Sequence, residues 1–319
     1  MSSGGVLPHE MPLAAHSVSE SAHSARRTTF NDWIKKDGLF PPEKDRYHLY
    51  ICYTCPWATR TLIFRKLKGL EDFIGVTILS PCMDSEGWPF ANFNDFPGAE
   101  NDPFHPESKH LRDVYLRVDP AYAGRFSVPL LWDKKTSKIV NNESSEIIRM
   151  FNDAFNDLLP KEKADIDLRP EALRAEVDEL VDWMQDAINI GVYKVGFVKE
   201  QQAYETAVTT LFEALDRVER LLEGKDYLIG NQLTEADIRL FVTIVRFDPV
   251  YVGLFKCNIR TIRDGYPNIH LWMRKLYWNN PVFKDTCFFD HIKTGYYNSH
   301  NFVSLDKNAS VLGPANNEL

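Results

Sequence analysis

The chain has no long run of apolar residues and no excess of positive charge. No apolar segment of its 319 residues approaches the length of a membrane span. Its 37 basic and 45 acidic residues give a formal net charge of −8, and no basic stripe runs along it. The composition therefore argues against a protein that spans a membrane and against one that binds nucleic acid.

Common metal-binding patterns are missing as well. The chain contains neither a pair of CxxC motifs nor an HExxH motif, so we predict no metal site. Its five cysteines are an odd number for a disulfide framework. They indicate reduced thiols and a cytoplasmic location.

The first 40 residues lack the apolar core of a secretory signal. They are rich in Ser, Ala, His and Gly, and their Glu10 and Glu20 are out of place in a transit peptide. The final Asn-Glu-Leu is not a peroxisomal signal. We expect residues 1–40 to form a mobile arm.

The stretch YHLYICYTCPWATRTL, residues 47–62, is the most informative part of the chain. Residues 47–52 predict a strand, and Pro56 suits the first position of a helix, where its missing N–H needs no partner. Cys55 then lies at the N-terminal cap, where unpaired N–H groups and the helix dipole favour a thiolate. We expect a nucleophile with a lowered pKa, helped by the positive potential of Arg60. A buried structural cysteine is the alternative.

The patterns that follow predict two domains. A β-α-β unit followed by a β-β-α unit indicates a thioredoxin-like α/β domain, in which helices cover a mixed sheet. Beyond Pro160 the apolar residues recur at helical spacing only, and Thr234 with Asp237 predicts a capping box. We therefore expect a thioredoxin-like domain over residues 41–155, a linker over 156–170, and an all-α domain with a C-terminal tail over 171–319.

Val128-Pro129 precedes the third predicted strand. A proline inside a central strand is disfavoured, because it removes a donor from the ladder of hydrogen bonds. Val-Pro before a strand is the pattern that a thioredoxin-like fold uses for its cis-proline turn. An ordinary trans proline at a sheet edge is the alternative.

This layout is that of glutathione transferases, and the chain resembles that superfamily along almost its whole length. CPWATR resembles the CPWA signature of the cysteine-type transferases. Four further segments resemble those of glutathionyl-hydroquinone reductases, also called the xi class: GRFSVPLLWDKKTSKIVNNESSEIIRMFN, NIGVYKVGF, RFDPVYVGLFKCNIR and HIKTGYYNSH.

The resemblance implies glutathione as a co-substrate and suggests the residues that bind it. The Val128 backbone would pair with the cysteinyl unit, and Glu143 and Ser144 would hold the γ-glutamyl end. Trp88 matches a tryptophan that contacts glutathione, and Arg125 is a candidate for the glycyl carboxylate. Helix capping by Glu143 and Ser144, and a solvated surface position for Arg125, are the alternatives.

Tyr193, Tyr251 and Tyr296 match tyrosines that line the second-substrate pocket of this family. Aromatic rings and hydroxyls suit a hydroquinone, although packing in the core is an equal alternative for each. Gly295 departs from the family, which usually has histidine there, and the tail over residues 301–314 departs as well. Cys52 gives a Cys-Tyr-Thr-Cys spacing, which would suggest a dithiol redox pair. In thioredoxin-like dithiols, however, the second cysteine follows the nucleophile inside the helix, where this chain has Ala58.

The family activity implied is the reduction of glutathionyl-hydroquinones to hydroquinones, through a Cys55–glutathione mixed disulfide that a second glutathione resolves. An omega-like thiol transferase or dehydroascorbate reductase, using the same thiol, is one alternative. A non-catalytic protein that binds glutathione or a quinone is another, although the intact CPWA motif argues against it. The family also implies a homodimer.

Overall fold

Four short strands form the sheet of the N-terminal half of the molecule. In a computed structural model, which describes residues 30–298, the strands lie in the order β2-β1-β3-β4. β1 and β2 run parallel, whereas β3 is antiparallel to both β1 and β4. All five residues of β1 are buried, as expected for a strand covered on both faces. The strands are β1 (Tyr47–Ile51), β2 (Ile74–Ile78), β3 (Leu130–Asp133) and β4 (Lys138–Asn141).

Three helices complete this half, and the order of elements is β-α-β followed by α-β-β-α. The helices are α1 (Pro56–Leu67), α2 (Leu111–Val118) and α3 (Ser144–Asp153), and α1 packs beside α3. The Val128-Pro129 peptide bond is cis, as predicted. The thioredoxin-like arrangement is thereby confirmed.

The described part of the chain after residue 155 is helical. Short 3-10 turns over Asn156–Leu158 and Glu171–Leu173 flank a single-turn helix in the predicted linker. Two π-helical turns, Gln185–Asn189 and Phe247–Tyr251, precede the next helices, the first with one residue between and the second directly. The helices are α4 (Lys161–Ala164), α5 (Arg174–Met184), α6 (Gly191–Phe197), α7 (Gln201–Leu221), α8 (Glu235–Arg246), α9 (Val252–Leu254), α10 (Ile262–Gly265), α11 (Pro267–Asn279), α12 (Pro281–Lys284) and α13 (Phe289–Tyr297). Between residues 30 and 298, none of the helices is long and apolar enough to cross a membrane.

Helix α8 lies at the centre of the helical half, since all twelve of its residues are buried. The predicted capping box begins it: the Thr234 N–H and hydroxyl donate to Asp237 Oδ2 at 3.0 and 3.1 Å. Asp237 Oδ1 accepts from the Leu228 N–H and from the Trp272 indole N–H, at 2.9 and 3.0 Å. The buried carboxylate therefore joins the start of α8 to α11.

Residues 30–40 pack against the edge of the sheet, so the predicted mobile arm is wrong for this part. The Asp32 N–H donates to Val140 O at 3.0 Å, and Ile34 and Phe40 are buried. These side chains could not be recognised as core residues from a short segment without periodicity. Residues 1–29 and the divergent tail over 301–314 lie outside the described residues.

Helix α13 packs against the segment that precedes α1. The Thr54 hydroxyl donates to His291 O at 2.8 Å, and the Tyr53 ring stacks on Phe288 with centroids 4.3 Å apart. A Cβ atom at Gly295 would overlap Thr54 Oγ1 and lie 2.8 Å from Thr54 Cβ. Glycine at position 295 thus makes room for the buried side chain of Thr54.

We expect Gly295→Ala to destabilise the protein by about 1–3 kcal/mol, because a buried methyl group would overlap Thr54. Adding Thr54→Ala to the Gly295→Ala protein removes the two Thr54 atoms nearest to the new methyl group, so it should restore part of the lost stability. Thermal melts measure both effects. Gly191→Ala is the control, since its Cβ would lie 3.4 Å from the nearest atom. A Gly295→Ala protein that melts like wild type would contradict this packing.

Candidate active site

Cys55 lies where the sequence predicts it, at the N-terminal cap of α1 with Pro56 as the first helical residue. Its Sγ donates to Val128 O at 3.5 Å, so the fold brings the thiol to the cis Val128-Pro129 turn. The side chain is only 3% exposed. The predicted N-cap cysteine and the predicted cis-proline turn, which are far apart in the sequence, thus lie next to each other.

The expectation of a lowered Cys55 pKa is wrong for this structure. Burial raises the pKa of the thiol above its ordinary value, because a charged sulfur loses its hydration. The N–H groups of Ala58 and Trp57 and the charges of Arg246 and Arg60 act in the opposite direction, but burial outweighs them.

Cys52 has the surroundings of a core residue. It is fully buried, its Sγ donates to Ser80 O at 3.8 Å, and burial raises its pKa to about 12. The position after Cys55 where thioredoxin-like dithiols carry their second cysteine is occupied by the buried Ala58. The Cys-Tyr-Thr-Cys spacing is therefore not a redox pair of that kind.

Arg246, the last residue of α8, is a site residue that sequence reasoning missed. Its fully buried guanidinium donates to Tyr53 O at 2.7 Å, to Thr54 O at 3.3 Å and to Thr59 Oγ1 at 2.8 Å. It thereby holds the two carbonyls directly before Cys55. Arg246 opens the segment RFDPVYVGLFKCNIR, which resembles the xi class. No local pattern in the sequence, however, distinguishes this buried arginine from one on the surface.

Glu143 and Ser144 lie together at the start of α3, next to Arg60. Ser144 Oγ accepts from Arg60 Nε and Nη2 at 3.1 and 2.5 Å. Glu143 is the N-cap residue, and its Oε1 accepts from the Ser145 N–H and hydroxyl at 3.1 and 3.0 Å. Glu143 also lies 4.0 Å from the Arg60 guanidinium. The capping alternative therefore holds for Glu143, and its role toward a ligand stays a prediction.

Trp88 and Arg125 occupy loops of the same half. Trp88 is buried, and its carbonyl accepts the Leu111 N–H at 2.9 Å. The turn just before it is held by a hydrogen bond of 2.9 Å between Asp84 Oδ2 and His110 Nε2. Arg125 is half-buried, three residues before Val128. The roles of both residues in binding glutathione stay predictions.

Three tyrosines from distant parts of the helical half bring their hydroxyls to one point. Tyr193 Oη lies 2.6 Å from that of Tyr296 and 3.3 Å from that of Tyr251, and the last two are 3.0 Å apart. Burial raises the pKa of all three, those of Tyr193 and Tyr296 well above the usual value. The cluster is therefore neutral at physiological pH and can donate hydrogen bonds or protons.

The π-helical turns help to place this cluster. Tyr251 is the last residue of one turn, and Tyr193 lies in the first turn of the helix that follows the other. The Trp57 ring in α1 lies 6.4 Å from the Tyr193 ring, so the cluster faces the helix that begins at Cys55. Such turns are frequent at functional sites, but apolar periodicity does not reveal them.

Two family models match the chain. Residues 54–154 match the glutathione S-transferase N-terminal domain, and residues 201–275 match the glutathione S-transferase C-terminal domain. The two matches lie on either side of the predicted linker.

Two relatives align with most of the chain. Glutathione S-transferase omega-like 2 of Schizosaccharomyces pombe is 50% identical over 311 residues, which are 91% of this chain and 98% of that protein. Glutathionyl-hydroquinone reductase YqjG of Escherichia coli is 49% identical over 285 residues, 87% of this chain and 84% of that protein.

Solved structures share the fold over most of the chain. The crystal structure of the glutathione S-transferase Xi from Phanerochaete chrysosporium has a TM-score of 0.85 and 68% identity, and covers 86% of this chain and 87% of that chain. The glutathione-bound structure of YqjG has a TM-score of 0.81 and 50% identity, with 85% of this chain and 88% of that chain covered.

We expect Arg246→Met to destabilise the protein by about 1–3 kcal/mol for each carbonyl left without a donor. It should also raise the pKa of Cys55, since a charge that lowers this pKa is lost. The rate of Cys55 alkylation against pH, followed by mass spectrometry, measures that shift. Arg246→Lys keeps the positive charge, so Cys55 in this variant should titrate close to its wild-type pKa. Equal titration curves for wild type and Arg246→Met would show that Arg246 acts through packing alone.

Proposed function

Because the chain belongs to the xi class of the glutathione S-transferase family, we propose that it is a glutathionyl-hydroquinone reductase. This enzyme uses glutathione to release hydroquinones from their glutathione conjugates. The name of the Escherichia coli relative supports the activity. The observation that carries the proposal is the convergence of three neutral tyrosine hydroxyls beside the helix that begins at Cys55.

Glutathione is held in the N-terminal half in this proposal. The Val128 backbone pairs with the cysteinyl unit as an added strand would, and Glu143 faces the γ-glutamyl ammonium group. Ser144 takes the γ-glutamyl carboxylate, Trp88 packs on the peptide, and Arg125 attracts the glycyl carboxylate. The glutathione-bound structure of YqjG supports binding of this ligand on the same fold.

Binding of glutathione also helps to activate the thiol. The Cys55 Sγ–H now donates to Val128 O, and a hydrogen bond from the neutral thiol favours the protonated form. An N–H of the cysteinyl unit that donates to Val128 O replaces the thiol there. The N–H groups of α1 and the guanidiniums of Arg246 and Arg60 then act on a sulfur without this acceptor, which shifts the balance toward thiolate.

The reaction has two half-reactions. The Cys55 thiolate attacks the glutathione sulfur of the conjugate, a Cys55–S–S–glutathione bond forms, and the bond from that sulfur to the aromatic carbon breaks. The aromatic carbon takes a proton and leaves as free hydroquinone. A second glutathione attacks the mixed disulfide, which returns the Cys55 thiol and releases oxidised glutathione.

The tyrosine cluster assists the departure of the aromatic carbon. A carbon leaving group departs poorly unless it is protonated or its charge is stabilised, whereas a thiolate needs little help. The neutral hydroxyls of Tyr193, Tyr251 and Tyr296 can supply a proton or hydrogen bonds to the ring. The Schizosaccharomyces pombe relative is named omega-like. An omega-like thiol transferase would use Cys55 without help from this cluster.

We also propose a cytoplasmic location and a homodimer. All five cysteines are free thiols, which suits a reducing compartment. Light scattering of the purified protein would test the dimer.

The activity is tested by incubating the protein with a glutathionyl-hydroquinone and glutathione. Free hydroquinone and oxidised glutathione should appear in equal amounts. Cys55→Ser should abolish both, since a hydroxyl does not form the mixed disulfide, whereas Cys52→Ser should keep most of the turnover. Loss of turnover in Cys52→Ser alone would contradict the assignment of the nucleophile.

Tyr→Phe changes distinguish the reductase from the omega-like alternative. At one or more of Tyr193, Tyr251 and Tyr296, loss of the hydroxyl should slow glutathionyl-hydroquinone turnover by about 10²- to 10⁴-fold, as expected for a lost general acid. Turnover of a small glutathione mixed disulfide should change little. Tyr204→Phe is the control, because its hydroxyl donates to Lys256 O at the surface. Equal slowing of both substrates, or of neither, would favour the omega-like alternative.

A further inference from the structure

Arg60 and Ser144 form a buried pair between α1 and α3. Arg60 is 2% exposed and Ser144 is 4% exposed. The guanidinium donates twice to one oxygen, since Nε and Nη2 lie 3.1 and 2.5 Å from Ser144 Oγ. The pair therefore has one fixed orientation, in which the serine oxygen faces the cation.

This orientation decides what the Ser144 hydroxyl can do. A hydroxyl has one hydrogen to donate and two lone pairs that accept. Two N–H groups of Arg60 occupy both acceptor positions, so the hydroxyl hydrogen must point away from the guanidinium. Ser144 is left as a donor only, and a carboxylate of a ligand is the acceptor that suits it.

The Arg60 guanidinium is charged but not fully hydrogen-bonded. Burial lowers its pKa to about 9, so it stays cationic at neutral pH. Its Nη1 is buried and has no acceptor among residues 30–298. The Glu143 carboxylate lies 4.0 Å from the guanidinium and also accepts from Ser145. Arg239 and Glu235, which form an ion pair, also act on Arg60 with opposite charges.

We propose that Arg60 is a positioning residue that makes Ser144 a donor for the α-carboxylate of the γ-glutamyl group, and so selects ligands that carry this carboxylate. The inference rests on the proposed function, which assigns Ser144 to that end of glutathione. It adds a residue of α1, the helix that begins at Cys55, to the recognition of the far end of the ligand.

The test compares two peptides, S-methylglutathione and its analogue without the γ-glutamyl α-carboxylate, S-methylated 4-aminobutyryl-cysteinyl-glycine. Neither can form a disulfide with Cys55. Calorimetry should show that wild type prefers S-methylglutathione by about 10- to 100-fold, the range of a charge-assisted hydrogen bond. Ser144→Ala and Arg60→Met should each reduce this preference to less than about threefold, and the double variant should reduce it no further.

Arg65→Met is the matched control. Arg65 lies in the same helix, donates to Ile74 O and Glu71 O, and should keep the wild-type preference when replaced. Thermal melts show whether each variant folds. If Arg60→Met does not fold, Arg60→Lys decides: a single ammonium cannot occupy both acceptor positions, so the preference should fall below that of wild type.

Three results would overturn the inference. The first is a wild-type preference for S-methylglutathione that is retained in Arg60→Met or Arg60→Lys. The second is a double variant in which the losses of preference from Arg60→Met and Ser144→Ala add in full. The third is a wild type that binds both peptides equally. A wild type that binds neither peptide and does not reduce glutathionyl-hydroquinones would instead contradict the proposed function.

Discussion

The buried guanidinium of Arg246 is the interaction on which the arrangement of the site depends. A buried charge is tolerated only when its donors are satisfied, and Arg246 finds its acceptors in the segment before Cys55 as well as in its own helix, at Val242 O. This requirement sets the distance between α8 and Cys55. Because the π-helical turn that ends at Tyr251 begins directly after Arg246, the same contact places a tyrosine of the cluster relative to the thiol.

The segment before Cys55 is held from a second side by α13. The Thr54 hydroxyl reaches His291 O, and Gly295 leaves the space that Thr54 fills. Since α13 also carries Tyr296, the thiol and the tyrosine cluster are joined through both helices. The two halves of the fold therefore act as one unit around Cys55.

Burial has opposite consequences for the two kinds of acid in the site. It raises the pKa of the tyrosines and so keeps their hydroxyls protonated, which a proton donor requires. It also raises the pKa of Cys55, which a nucleophile does not require. In the proposed mechanism the ligand resolves this conflict by taking the Val128 carbonyl from the thiol. In that mechanism the tyrosines stay protonated throughout, and the thiolate forms when glutathione is bound.

The sequence by itself determined the features that depend on neighbours along the chain. The strand before Cys55, the helix start at Pro56, the cis-proline turn and the capping box of Thr234 and Asp237 are local patterns, and the structure has each of them. Resemblance, not periodicity, singled out the three tyrosines. Only the tertiary structure decided that Arg246 is buried beside the segment before Cys55, that residues 30–40 join the sheet, and that burial dominates the Cys55 pKa. Burial and hydration depend on contacts between residues far apart in the chain, which no local pattern records.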